Sequence, residues 1–232
     1  MNIVMLVKDR PKLTEQALRS LADNTIDAYN ITVVDDGSLP RTACLLNTWA
    51  KAADKSRTLI RVTDSGNVLA DLKNLGVYWS EKRFGRSSGY LYLSDNDAYF
   101  TAGWDRALVE AYEDATRKSR ILLLGGQNHP FHHPMKGMVL ANGERWKVYE
   151  SVAGTSWLMP WYAWDEFGPL RGLAAGVCQG EDHDFCQRIK AKGFEVGAID
   201  PYVVYDTGIT QTGGTPSPGA DVKQRHSGVI YE

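Results

Sequence analysis

Apolar positions in this chain come in short runs that alternate with stretches of helical spacing. Residues 3–7 are continuously apolar, and Pro11 then opens a stretch in which Leu13, Ala17, Leu18 and Leu21 share one face. A short apolar run suits a buried strand, and proline is favoured in the first turn of a helix. The unit repeats. Residues 31–34 read as a second strand, followed by Leu45, Leu46, Trp49 and Ala53 at helical spacing; residues 58–62 are a third, followed by Leu69, Leu72 and Trp79. Residues 90–93 are a fourth strand, 104–112 a helix and 121–124 a further strand. Such alternation predicts an α/β fold with a parallel sheet covered by helices.

Beyond residue 124 the pattern changes. Residues 138–141 and 145–149 flank Asn142-Gly143, a dipeptide that signals a hairpin between strand-like runs. Residues 181–192 read as a helix stopped by Gly193, with strand candidates at 196–199 and 202–205. From Thr207 onward Gly208, Gly213, Gly214, Pro216, Pro218 and Gly219 exclude a regular element. The expected organisation is one domain over 1–210, with a nucleotide-binding half over 1–100 and an acceptor-side half over 101–210. Residues 211–232 are expected as a flexible tail or lid.

Composition narrows the function classes. Of the 232 residues 43% are apolar and 23% charged, as in globular proteins, and the formal charge is −2. A balance so near zero provides no global basic field for nucleic acid or anionic membrane. No signal-like opening or membrane-length apolar run is seen, and Cys44, Cys178 and Cys186 form no C-x-x-C pair. A cytoplasmic protein without structural disulfides or a zinc knuckle is expected.

Three acidic clusters stand where chemistry is expected. Asp35-Asp36-Gly37-Ser38 follows the second strand, and ligands of parallel sheets bind beyond the carboxyl ends of strands. A carboxylate there could accept from a base N–H or from ribose hydroxyls, or simply close an Asp-Gly turn. No G-x-G-x-x-G follows the first strand, which disfavours a dinucleotide site. Asp95-Asn96-Asp97 follows the fourth strand, and two carboxylates one residue apart can bridge Mg²⁺ or Mn²⁺ to a substrate phosphate. Gly180-Glu181-Asp182-His183-Asp184 opens a helix, where acids favour the positive end of the macrodipole. Three carboxylates exceed what capping needs, and their repulsion favours a general base.

Taken in order, these clusters resemble an inverting glycosyltransferase of the GT-A fold, family 2-like. Val34 to Ser38 is similar to that family's Val-Asp-Asp-Gly-Ser segment, which implies that Asp35 and Asp36 contact the nucleotide. Asp71-Leu72-Lys73-Asn74-Leu75-Gly76 resembles Ala-Arg-Asn-x-Gly with lysine for arginine, which implies donor contacts for Lys73 and Asn74. The resemblance implies that Asp95 and Asp97 hold Mn²⁺ or Mg²⁺ on the donor diphosphate, Asp95 also touching the donor. Gly180, Glu181, Asp182, Asp184, Arg188 and Gly193 are similar to the Gly-Glu-Asp segment, in which the second acid, here Asp182, is the catalytic base. Thr155, Ser156, Trp157, Glu181 and Asp184 would contact the acceptor. The first strand ends Lys8-Asp9-Arg10-Pro11 where the family often has Tyr-Asn-Arg-Pro. For the family's late histidine this chain offers Asp206 or His226 as the closing metal ligand.

The resemblance implies a hexosyltransferase-type enzyme using a nucleotide sugar, a UDP-sugar first, with a saccharide or glycolipid acceptor at the inner membrane face or in solution. A hydroxylated DNA base or a protein side chain would use the same chemistry. A haloacid dehalogenase-type phosphatase also uses Asp-x-Asp, but with Thr or Val where this chain has Tyr99, and a non-catalytic sugar- or nucleotide-binding module is the remaining alternative. His129, His132 and His133 lie in a proline-bounded loop and are read as acceptor contacts or solvated side chains rather than zinc ligands. Trp157, Trp161, Tyr162 and Trp164 could pack in the core or stack on sugars.

Overall fold

The computed structural model describes residues 1–52, 56–62, 69–86, 89–127, 141–142, 145–172 and 180–207. Strands are β1 (Asn2–Val7), β2 (Asn30–Asp36), β3 (Arg57–Val62), β4 (Tyr90–Asp95), β5 (Ala98–Phe100), β6 (Ile121–Gly125), β7 (Ala141–Asn142), β8 (Trp146–Tyr149), β9 (Ser156–Pro160), β10 (Glu195–Ile199) and β11 (Val204–Asp206). Helices are α1 (Pro11–Asn24), α2 (Pro40–Lys51), α3 (Leu69–Phe84), α4 (Trp104–Ser119), α5 (Trp161–Phe167) and α6 (Glu181–Ala191).

Nine strands form one sheet in the order β3-β2-β1-β4-β9-β6-β10-β8-β7, and β11 pairs with β5 in a small second sheet. The half built from β1 to β4 is parallel, as expected from the alternation. The other half is mixed. β9 runs antiparallel to both β4 and β6, and β8 runs antiparallel to β10 and β7. β7 and β8 are the hairpin expected around Asn142, while Gly143 lies outside the described residues.

Alternate residues of β1 supply opposite faces. Ile3, Met5 and Val7 join Leu18, Leu46 and Trp104 in one core cluster; Val4 joins Val77, Trp157 and Phe185 in another. Helix α3 lies close on the sheet because residue 76 has no side chain: a Cβ there would sit 2.9 Å from Val34 Cγ2. That close seating carries Lys73, one turn earlier on α3, to the sheet edge. No helix among the described residues is long and apolar enough to cross a membrane.

Candidate active site

Because β1, β2 and β4 are parallel, their carboxyl ends emerge at one edge. Asp35 is buried there, with both oxygens engaged: Oδ2 accepts from Arg61 Nε at 2.8 Å and Oδ1 from the Ser38 N–H at 3.0 Å. Asp36 is also buried, but only Oδ2 is paired, by Lys8 Nζ at 2.9 Å. Its Oδ1 is buried without a hydrogen-bond partner among the described residues. An unsatisfied buried acceptor is costly, so this oxygen is suited to receive a ligand N–H or O–H.

The loop after β1 is stitched to this edge. Asp9 and Arg10 adopt left-handed backbone angles, φ 53° and 55°, a conformation that costs non-glycine residues about 1–3 kcal/mol each. Neighbours hold them there. The Asp9 N–H donates to Ser38 Oγ at 2.9 Å, the Leu39 N–H donates to Asp9 Oδ1 at 2.7 Å, and Asn96 Nδ2 donates to the Asp9 carbonyl at 3.2 Å. The loop thereby aims Arg10 at the Asp95-Asn96-Asp97 turn.

That turn joins β4 to β5. Asp97 is buried with Oδ2 2.7 Å from Arg10 Nη1, whereas Asp95 is more open and lies with Oδ1 3.7 Å from Lys73 Nζ. Asp206, on β11 opposite Ala98, comes to the same place: the Thr207 N–H and Oγ1 each donate to the Asp97 carbonyl at 2.8 Å. Gln127 braces it, accepting from the Asp206 N–H at 2.7 Å and donating to Thr155 Oγ1 at 3.0 Å. No group of three His, Cys, Asp or Glu side chains able to hold a metal occurs among the described residues. Two carboxylates on one turn are a hard-oxygen donor set too small to enclose an ion. They fit a Mg²⁺- or Mn²⁺-type ion that keeps waters and takes substrate oxygens. His226, His129, His132 and His133 lie outside the described residues.

The antiparallel entry of β9 brings the Gly154-Thr155 segment beside the end of β4, since Ser156 pairs with Ser94. Lys73 Nζ donates to the Gly154 carbonyl at 2.9 Å. Across the same residue, the Gly154 N–H faces Asp182 Oδ2 at 3.4 Å, and Asp182 Oδ1 accepts from the His183 N–H at 2.7 Å. Burial works against the charge on Lys73, but the carboxylates of Asp95, Glu181 and Asp182 outweigh it and raise its pKa. Burial also raises the pKa of Glu181, with Lys73 opposing and Asp182 adding to the shift.

Several residues expected at the substrates make contacts within the fold. Ser156 and Trp157 are fully buried in β9: Ser156 Oγ bonds the Tyr92 hydroxyl at 2.6 Å and accepts from the Gly126 N–H at 3.1 Å, and the Trp157 ring stacks on Phe185 at 5.4 Å. Both side chains are thus engaged within the core. Asn74 is spent on a backbone clamp, donating to the Leu170 carbonyl and accepting from its N–H, both at 2.9 Å. Asp184 is held by Arg188 Nε at 2.8 Å, one turn along α6. Arg10, Arg61, Gln127 and Gly154 complete the edge; Arg10 and Gly154 lie in the Lys8-Asp9-Arg10-Pro11 and Gly154-Thr155-Ser156-Trp157 segments that the sequence marks, whereas Arg61 and Gln127 carry no such signal.

A family model described as "Glycosyl transferase family 2" matches residues 2–122 of this chain. No curated protein matches it in sequence. Among solved structures, it is similar to the mannosyltransferase PcManGT from Pyrobaculum calidifontis in complex with GDP-Man and Mn²⁺, with a TM-score of 0.62 and 16% identity over 97% of this chain and 60% of that one. It is similar also to S. aureus TarS 1-349 in complex with UDP-GlcNAc, with a TM-score of 0.61 and 14% identity over 99% of this chain and 61% of that one. GalNAc-T7 with UDP, GalNAc and Mn²⁺ gives a TM-score of 0.61 and 13% identity over 85% of this chain and 42% of that one. The chain therefore spans less than two thirds of each of these structures, with which it shares the fold.

Proposed function

This chain belongs to glycosyl transferase family 2, and on that premise we propose that it moves a sugar, with inversion, from a nucleotide-diphosphate donor to an acceptor hydroxyl. The observation that carries the reading is the convergence at one sheet edge of three carboxylate sets far apart in sequence. They are Asp35 and Asp36, then Asp95 and Asp97, and finally Asp182 at the start of α6.

In this reading the unpaired Asp36 oxygen accepts from the nucleotide, with Asp35 and Arg61 shaping its surroundings. Asp95 and Asp97 hold a divalent ion, Mn²⁺ or Mg²⁺, with Asp206 close by. When bound, such an ion neutralises charge building on the leaving diphosphate. Asp182 takes the proton from the acceptor hydroxyl as its oxygen attacks the anomeric carbon, and the bond to the nucleoside diphosphate breaks on the opposite side. Glu181 and Thr155 border the acceptor. A UDP-sugar is the first donor to test and a saccharide or glycolipid the acceptor class. The nucleotide sugars GDP-Man and UDP-GlcNAc in two of the similar structures support the donor class.

The test is a thermal-shift series with UDP-, GDP- and dTDP-sugars, each with and without Mn²⁺ and Mg²⁺, since a ligand that binds the native state raises apparent stability. The expected outcome is stabilisation by one nucleotide class that needs the cation and is lost in Asp97→Ala. Absence of stabilisation by every nucleotide sugar at millimolar concentration would reject the reading.

A further inference from the structure

Lys73 is the group at this edge whose burial and contacts the transfer chemistry leaves unexplained. Its side chain is 4% exposed, and an ammonium so buried is costly unless paired and hydrogen-bonded. The pairing spans the site. Nζ donates to the Gly154 carbonyl at 2.9 Å and stands 3.7 Å from Asp95 Oδ1, while the N–H of that same glycine faces Asp182 Oδ2 at 3.4 Å. One peptide segment therefore lies between the carboxylate expected at the donor and the carboxylate expected to act as base.

The fit around that segment is close. A Cβ on Gly154 would lie 3.3 Å from Lys73 Nζ, 3.3 Å from Asp182 Cβ and 3.7 Å from Trp157 Cζ2. A methyl group there requires Lys73 Nζ and Asp182 Cβ each to give by a few tenths of an ångström. Gly76 contributes by letting α3 approach β1 and β2 closely enough for the Lys73 stem to reach the edge.

Building on the proposed transfer reaction, we propose that Lys73 is a positioning residue. By gripping the Gly154 carbonyl beside Asp95, it sets the separation between the donor-side Asp95 and the acceptor-side Asp182. Its ammonium also offsets the mutual repulsion of Asp95, Glu181 and Asp182, which otherwise drives the start of α6 away from the end of β4. The role differs from that of a donor ligand, because it acts on alignment of the two substrates and not on donor affinity.

Misplacement of a reacting group by about 1 Å can cost about 10²-fold in rate. Lys73→Met, which keeps the apolar stem and removes the charge, should lower kcat by about that factor while the calorimetric Kd for donor in Mn²⁺ stays at the wild-type value. Lys73→Arg, which keeps a cationic donor, should recover part of the loss. Gly154→Ala should reproduce the kcat-selective defect with Lys73 intact, and it carries the test should Lys73→Met fail to fold.

A Lys73→Met or Gly154→Ala enzyme with wild-type kcat overturns the proposal and leaves the transfer reading standing. So does a Lys73→Met enzyme whose donor affinity falls as far as its turnover, which would make Lys73 a donor ligand. A wild-type protein that transfers no sugar removes the transfer reading and this role together.

Discussion

The guanidinium of Arg10 lies 2.7 Å from the carboxylate of Asp97, and Arg10 is held there by left-handed backbone that the chain would not adopt alone. The strained β1–α1 loop thus delivers a cation to the buried acid of the Asp95-Asn96-Asp97 turn. Arg10→Gly removes the guanidinium and relieves the φ of 55°, so any instability it causes reports on Asp97. Without added metal, the cost of leaving a buried polar group unsatisfied, about 1–3 kcal/mol, is set against the backbone strain relieved, so stability should fall by less than that cost. Mn²⁺ should then raise the melting temperature of the variant more than that of the wild type. Equal shifts in the two proteins would mean that Asp97 does not meet the ion.

Asp35 and Asp36 should separate in their effects. Both Asp35 oxygens are engaged by Arg61 and Ser38, whereas one Asp36 oxygen is buried without a partner. Asp36→Ala should weaken nucleotide binding by about tenfold to a hundredfold, the worth of a hydrogen bond to a charged group. Asp35→Ala should chiefly lower thermal stability. Titration calorimetry and melting curves on both variants would decide, and the reverse assignment would place the nucleotide contact on Asp35.

The parallel half of the sheet is legible in the sequence because its signals are local: β1, β2 and β4 are apolar runs, and α1 to α3 show their spacing within a few turns. β9 hides for the opposite reason. All five of its residues are buried, so Ser156 to Pro160 shows neither alternation nor helical spacing, and its tryptophan reads equally as a sugar-stacking side chain. β5 has three residues and no pattern to detect. At the site, the acidic clusters are visible because their residue types are unusual at strand and helix ends. The duties of Asn74 and Gly154 are not visible, since they depend on Leu170, Lys73 and Asp182, distant in sequence. Asp184 could have been assigned from spacing alone, its partner Arg188 standing four residues on.

Trp157 should behave as core. Trp157→Ala removes a ring that is fully buried and stacked on Phe185, and should cost about 3–5 kcal/mol in urea denaturation. A variant of wild-type stability with a raised acceptor KM would instead return this side chain to the acceptor site.

Glu181 makes stability depend on pH with a definite sign. Its folded pKa is raised by burial above the ordinary carboxyl value, so the native state binds the proton more tightly than the unfolded state. Stability is therefore lost as pH rises from the ordinary glutamate pKa, about 4.3, through the raised one. Glu181→Gln removes that loss. The melting temperature of the variant relative to wild type should be higher at pH 7 than at pH 4, and a difference independent of pH would contradict the burial of this carboxylate.

The central claim is sugar transfer with Asp182 as base, and the direct measurement is single-turnover transfer by wild type and Asp182→Asn with saturating donor, acceptor and Mn²⁺. A general base contributes about 10²- to 10⁴-fold. Asp182→Asn should lose turnover by about that factor while its calorimetric affinities for donor and acceptor match the wild type, because the amide keeps the shape and cannot take the proton. Near-wild-type turnover in Asp182→Asn, with turnover abolished instead in Glu181→Gln or Asp184→Asn, would contradict the assignment and move the base to that neighbour.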